Sequence, residues 1–302
     1  MIIEKPYKWK SIQFDILNDV VKWEVLREWS LSNVHRITLT SGKTMIAKWS
    51  GGNMIRETDI YNNLLAPLKI ERPIINENFK SDQGTFTIME DIGKNTLEHK
   101  PLERYYMLAS QKLAKLHDQA SKNIQKGYLS NDRLQHYSIS ENTFIEELLY
   151  LKQHSFFSNH EKQVINKLTE IFPKQIKNLY HESTPTLIHN DYYPKNLIVA
   201  DEQIKVIDWS NAYISNHLGD LYGLIKEAKH LHFCPDSILQ AYYNEIKERN
   251  YSLTELYRNV QLGGLCWYIH SITWVLDYGR SVITGSENWI KGMITNIKNL
   301  IE

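Results

Sequence analysis

The sequence is poor in the features that would place it in an oxidising compartment or a membrane. Of its 302 residues only two are cysteine, Cys234 and Cys266. They stand far apart and form no CxxC, which argues against a disulfide framework and a thiolate zinc site and fits a cytoplasmic protein. Neither sign of charge is in excess. Lys plus Arg and Asp plus Glu number 35 each, so no overall positive field points to nucleic acid and no acidic surplus marks a solvating tail. Long apolar runs are missing too. The opening "MIIEKPYKWK" puts charges where a secretory leader needs its apolar stretch. The longest weakly charged run, Val260 to Leu276, is too short for a bilayer and carries Gln261, His270, Ser271 and Thr273. It reads as a buried helix. With no repeat and no low-complexity linker, what remains is a chain long enough for two compact units and a large core.

The residues present divide into two textures. From Val21 to Trp49, "VVKWEVLREW" alternates, and "HRITLT", the turn "SGK" and "TMIAKW" follow as a hairpin. "MIRETDIYNNLLAPL" then places Ile55, Ile60, Leu64 and Leu65 at helical spacing and stops before Pro67. One more strand is expected over Thr85 to Met89. From about Pro101 the text is helical, in "ERYYMLASQKLAKLHDQA", "NTFIEELLYLKQH" and "EKQVINKLTEIF", and helices resume from about Asp220 to the end. The expected architecture is α+β: a β-rich unit over residues 1–92, a hinge near 90–94, and a larger helical unit over 93–302.

One stretch interrupts the helices: "HNDYYPKNLIVADEQIKVIDWSN", residues 189–211. "NDYYPKN" is rich in turn formers, and Pro194 cannot continue a ladder. "LIVA" and "IKVID" follow as short strands around "DEQ", a hairpin that returns Asp208 to the side of the loop. Asn196 and Asp208 then converge as one amide and one carboxylate oxygen, donors suited to magnesium beside phosphate oxygens. Asp191, at the loop entrance, is left free to accept a hydrogen bond from a substrate hydroxyl and take its proton during phosphoryl transfer. The bland alternative is a polar turn between strands with an N-capping aspartate.

His189, Asp191 and Asn196 in HxDxxxxN spacing, followed by a hairpin and Asp208-Trp209, resemble the signature of the aminoglycoside phosphotransferase and choline kinase family, small-molecule kinases of protein-kinase-like fold. The resemblance covers roughly residues 25–225. It implies a two-lobe fold with a small antiparallel sheet in the N-lobe and a mainly helical C-lobe. It also implies ATP or GTP with Mg2+, and phosphate transfer to a small-molecule hydroxyl. By the same resemblance Lys48 holds nucleotide phosphates and Glu57 holds Lys48, with Asp59 as a weaker partner. Met89, Glu90 and Ile92 fall where the family's hinge meets the base. Ile46, Ile198 and Ile207 match the positions that sandwich it, though isoleucine on a strand is as readily plain core. Asp220 either binds catalytic-loop amides or caps its own helix; His117 and His189 read as structural.

The sequence departs from that family in one place. "EWSLSNVHRITL" contains no glycine where a phosphate loop is expected; Ser32 and Asn33 resemble a family variant in which hydroxyl and backbone groups cover the phosphates. Trp267, His270, Ser271, Trp274 and Tyr278 share one helical face, either a packed stripe or an aromatic wall for a sugar or cationic amine, with Asp277 and Glu287 as adjacent negative charge. The acceptor stays open among an aminoglycoside-like antibiotic, choline or another amino alcohol, and a sugar. Nucleic-acid and membrane partners are not expected, and the protein is expected as a monomer or homodimer. A catalytically inactive kinase-like binding protein is the competing reading: the missing glycine loop favours it, the joint presence of Lys48, Asp191, Asn196 and Asp208 opposes it. His230 and His232, in "HLH", read as a solvated helix face, with zinc a remote alternative.

Overall fold

The computed structural model describes residues 5–246 and 252–302, the side chain of Asn53 apart. The first four residues of the opening and residues 247–251 of the expected C-terminal helical run therefore lie outside the described residues.

Strands β1 (Val20–Glu28), β2 (Ser32–Leu39), β3 (Thr44–Ser50), β4 (Ile75–Ser81) and β5 (Gly84–Glu90) form an antiparallel sheet in the order β1-β2-β3-β5-β4. Alternation along the strands sorts two faces. Ile37, Leu39, Met45, Ala47, Trp49, Phe86 and Ile88 pack on Trp9 from the preceding segment, so Ile46 and Lys48 of β3 take the opposite face, together with Ser32 and Arg36 of β2. Strand β4 is not expected from the sequence pattern. "INENFKS" hides its alternation because it pairs on one side only, an edge position that tolerates polar residues and leaves Phe79 exposed.

The helix expected after β3 winds in three ways. A 3-10 turn (Gly52–Arg56) leads into α1 (Glu57–Ile60) and a π turn (Tyr61–Leu65). Ile60, Leu64 and Leu65 are buried, but Ile55 is 37% exposed: three residues per turn rotate it out of a stripe drawn at 3.6.

The helical part comprises α2 (Glu103–Gln125), α3 (Asn131–Tyr137), α4 (Glu141–Gln153), α5 (Asn159–Glu182), α6 (Gly219–His230), α7 (Pro235–Ile246), α8 (Leu253–Trp274), α9 (Arg280–Val282) and α10 (Asn288–Ile301). Capping boxes of Ser158 with Glu161 and Ser252 with Glu255 start α5 and α8. Between α5 and α6 lie β6 (Thr186–Ile188), β7 (Leu197–Ala200), β8 (Gln203–Val206) and β9 (Tyr213–Ser215), paired β7 with β8 and β6 with β9. The run from Val260 to Leu276 covers most of α8 and the start of the π turn after it, largely buried on one side, and no described helix is long and apolar enough to cross a membrane. Two hydrophobic cores result. One gathers α2, α6, α7 and the β7–β8 hairpin around Tyr106, Tyr192, Trp209 and Leu221; the other gathers α4, α5, α8 and α10 around Phe144, Phe172, Tyr268 and Ile290.

Gly263 lets the two cores meet. A Cβ there would stand 2.5 Å from the Leu218 carbonyl carbon and 2.6 Å from the Gly219 nitrogen, backbone atoms at the start of α6. Gly263→Ala is expected to force α8 off α6 and cost about 1–3 kcal/mol, the scale of overpacking. Thermal unfolding reads this as a lowered Tm; an unchanged Tm would show that the crossing yields.

Candidate active site

The segment after β6 is held from two sides. The backbone N–H of His189 donates to Asp220 Oδ2 (2.6 Å) and that of Asn190 to Asp220 Oδ1 (2.9 Å). Asp220 therefore ties down the loop and makes no side-chain cap for α6. Burial pushes its carboxyl up to about 7 against the pull of the two N–H groups. His189 Nδ1 accepts from the Asp191 N–H (3.2 Å), which leaves Nε2–H to donate to the Ile207 carbonyl (3.0 Å). Burial pulls its pKa down to about 4, so the ring is neutral and serves as a brace between loop and hairpin.

Within the loop, Asn196 Nδ2 donates to the Asp191 carbonyl (2.9 Å) and to Asp191 Oδ2 (2.8 Å), and Lys195 Nζ stands 3.0 Å from the same Oδ2. The other carboxylate oxygen, Oδ1, has no protein partner among the described residues, and Asp191 lines the main cavity. Burial raises the Asp191 pKa, with Lys195 opposing.

The β7–β8 hairpin returns the chain as expected, with Ile207 N–H donating to the Asn196 carbonyl (3.0 Å). Asp208 then adopts φ 62°, a left-handed conformation uncommon for a side-chain-bearing residue, which turns its carboxylate toward β3. Lys48 Nζ lies 2.8 Å from Asp208 Oδ1 and 2.8 Å from Glu57 Oε2, and Ser210 Oγ also donates to Asp208 Oδ1 (3.1 Å). Burial alone would lower the Lys48 pKa; Asp208 and Glu57 outweigh it and hold the ammonium charged. Burial likewise works to raise Asp208, but Lys48 draws it well below the carboxylate range, while Glu57 is raised by its burial. Asp59 does not reach Lys48. Its carboxylate accepts from Tyr137 Oη of α3 (2.5 Å) and from Asn63 Nδ2 (2.7 Å), so it fastens α1 to the helical part.

Asn196 Oδ1 and Asp208 Oδ2 have no protein partners among the described residues. Two hard oxygens on neighbouring turns suit magnesium, which completes its shell with phosphate oxygens and water. No group of three or more His, Cys, Asp or Glu side chains able to hold a metal occurs among the described residues, so His230 and His232 have no third ligand there.

A cavity of about 1230 Å³ joins these groups to α8: its walls include Ser32, Lys48, Asp191, Lys195, Asp208, Trp267, His270, Ser271 and Trp274. Other anticipated residues lie elsewhere. Asp277 is exposed and accepts from Tyr150 Oη (2.6 Å), because the π turn Val275–Gly279 rotates it off the α8 face. Tyr278, carried by the same turn, points its hydroxyl at Gly52. With its amide oriented to donate, Asn33 reaches the Ser32 and Trp29 carbonyls, 3.0 Å each, and so staples the β1–β2 turn. Ile46 and Met89 are cross-strand partners, Ile198 meets the hinge at Gly93, and Ile207 braces the loop; none of these lines the cavity. The Glu90 amide and carboxylate are both bonded to Ile74, whereas the Ile92 N–H has no partner among the described residues. Sequence reasoning misses Arg36, buried and bonded to Asp91 (2.6 and 3.2 Å) and to the Gly93 carbonyl (3.0 Å), and the cavity residues Arg56, Tyr193, Tyr213 and Trp289. No local pattern marks them.

The chain belongs to the phosphotransferase enzyme family, whose sequence pattern matches residues 29–251. Solved structures share its two-lobe kinase-like fold. A thermostable mutant of aminoglycoside phosphotransferase APH(4)-Ia, in ternary complex with ADP and hygromycin B, is 13% identical with a TM-score of 0.65 over 93% of this chain and 94% of its own. A choline/ethanolamine kinase family protein from Mesorhizobium loti is 13% identical with a TM-score of 0.67, covering 96% and 91%. The gentamicin complex of APH(2'')-IIa is 16% identical with a TM-score of 0.58, covering 93% and 94%. No curated sequence matches this chain. The protein is thus a small-molecule kinase.

Asp220→Asn tests the loop brace. An amide presents one acceptor and one donor to two N–H groups, leaving one unsatisfied in a buried site, so the variant is expected to lose about 1–3 kcal/mol of stability. Unaltered denaturant unfolding would show that the loop stands without Asp220.

Proposed function

We propose that the protein transfers the γ-phosphate of ATP to a hydroxyl of a small molecule in a magnesium-dependent reaction. The observation that carries this reading is the joint opening of the unpartnered Asp191 Oδ1 and the Lys48–Asp208 pair onto one cavity. The proposed lobes are residues 1–92 and 93–302, in a cytoplasmic monomer or homodimer, with GTP as the other candidate donor.

Asp191 Oδ1 accepts the hydrogen bond of the acceptor hydroxyl and takes its proton as the oxygen–phosphorus bond forms and the bond from γ-phosphorus to the bridging oxygen breaks, releasing ADP. Lys195, bonded to Oδ2, keeps the carboxylate turned so that Oδ1 faces the acceptor. Lys48 places its charge on the phosphates, and Glu57 fixes the ammonium from behind. Magnesium, held by Asn196 Oδ1 and Asp208 Oδ2, would supply Lewis-acid neutralisation of phosphate charge. Ser32 stands at the phosphate end in place of a glycine loop, and the Ile92 N–H is the hinge donor available to a base set between Ile46 and Ile198 with Ile207.

Asp191→Ala is expected to leave a folded, ATP-binding protein with turnover down about 10²-fold or more, the scale of a general base; near wild-type turnover would remove Asp191 from that role. Because burial raises its pKa, the acid limb of kcat/KM should lie above the ordinary aspartate value of about 3.9, activity falling as the carboxylate is protonated. An acid limb at or below that value contradicts the assignment.

Asp208→Ala should weaken magnesium-dependent nucleotide binding, read by calorimetry with and without Mg2+. Unchanged Mg-ATP affinity would count against the metal role. For the wild type, no thermal shift with Mg-ATP and no ATP consumption with any acceptor would favour the inactive binding protein.

A further inference from the structure

The acceptor end of the cavity is not built for a polyamine. Of the four carboxylates in its walls, Asp191 and Asp208 are bonded to Lys195 and Lys48, and the remaining two, Glu98 and Glu227, both stand near Tyr106. The α8 face contributes none, since Asp277 turns away. Arg56 also lines the cavity and adds positive charge there, its guanidinium donating to the Ala212 carbonyl (3.4 Å) with Asp59 nearby. What α8 offers instead is Trp267 and Trp274, two turns apart, with Tyr193 beside Trp267 at 6.2 Å between ring centroids.

Two oriented polar atoms line the same cavity. Glu147 of α4 accepts from His270 Nδ1 at 2.7 Å, which fixes the ring and leaves Nε2 without a protein partner among the described residues. Tyr213 is the counterpart. Gly219 N–H donates to His217 Nδ1 (3.0 Å), which puts the imidazole proton on Nε2, and Nε2–H donates to Tyr213 Oη (2.9 Å). Burial keeps His217 neutral by drawing its pKa down to about 3. The Tyr213 O–H is then left to donate in its turn. The Tyr213 and His270 rings are 5.9 Å apart, and both line the cavity. Two polar atoms, each fixed from behind by a packed partner, are the fittings for a hydroxyl, which both gives and receives a hydrogen bond.

Resting on the phosphotransferase reading above, we propose that the acceptor is an uncharged ring-bearing polyol, chemically a glycoside, with its ring against Trp267 and Trp274 and one hydroxyl between His270 Nε2 and Tyr213 Oη. A second hydroxyl of the same molecule meets Asp191. The cavity, at about 1230 Å³, exceeds the roughly 300–1,000 Å³ of common small-molecule sites and so accommodates such a ring beside a triphosphate.

The test measures ADP release by the full chain with Mg-ATP and three sets of acceptors: phenyl and octyl β-D-glucosides and galactosides, kanamycin, and choline. Turnover is expected with at least one glycoside. His270→Ala and Trp274→Ala should each raise the KM for that glycoside at least tenfold while leaving the KM for ATP in place, with thermal unfolding confirming that both variants fold. Consumption of kanamycin or choline with every uncharged glycoside ignored overturns the inference. So does Mg-ATP binding without turnover of any glycoside, or a glycoside KM that neither variant moves. Failure of the wild type to bind Mg-ATP, measured before any acceptor is added, is a different result: it removes the phosphotransferase reading, and this inference with it.

Discussion

The site depends on one buried ammonium. Lys48 lies between Glu57 and Asp208 at 2.8 Å from each, and these three residues come from a strand, a short helix and a hairpin that share no local sequence. Removing such charges from water costs several kcal/mol each, and the attraction between them does little more than offset that cost. The cluster is therefore a positioning device, held by the cores on either side. Its geometric effect is to set the sheet over the hairpin at a fixed height, so that the Asp191 carboxylate and the face of β3 look into one space.

The loop is organised by the same economy of means. Asn190 and Asp208 both take left-handed backbone, at φ 62° each, conformations that need support from their surroundings. Asp220 and His189 give that support through backbone amides and carbonyls. The acidic residue that lines the cavity is thereby aimed by groups that do not line it. The same pattern recurs on α8, where Glu147 and His217 lie behind His270 and Tyr213.

How much can be read from the sequence follows from how local each feature is. Asp191, Asn196 and Asp208 fall within twenty residues, joined by a hairpin whose turn chemistry is explicit, so their convergence is legible in the residue order alone. Lys48 and Glu57 are legible only through resemblance. The Arg36–Asp91, Asp59–Tyr137 and His270–Glu147 contacts are not, because packing alone joins residues that stand 55, 78 and 123 positions apart. Strand β4 escapes notice because an edge position relaxes alternation. Tyr278 leaves the face that helical spacing assigns it, and Asp277 turns from the cavity it is expected to charge, because a π turn breaks the period at Val275–Gly279, which no propensity reveals.

The bond between Asp59 and Tyr137 has one more implication. Many phosphotransferases of this general shape are governed by letting the helix that bears the lysine's glutamate swing out and back. Here that helix is moored to the larger lobe by a side chain two residues from the glutamate itself. Any outward swing of α1 must therefore first break the Asp59–Tyr137 bond, which ties the position of Glu57 to the seating of α3.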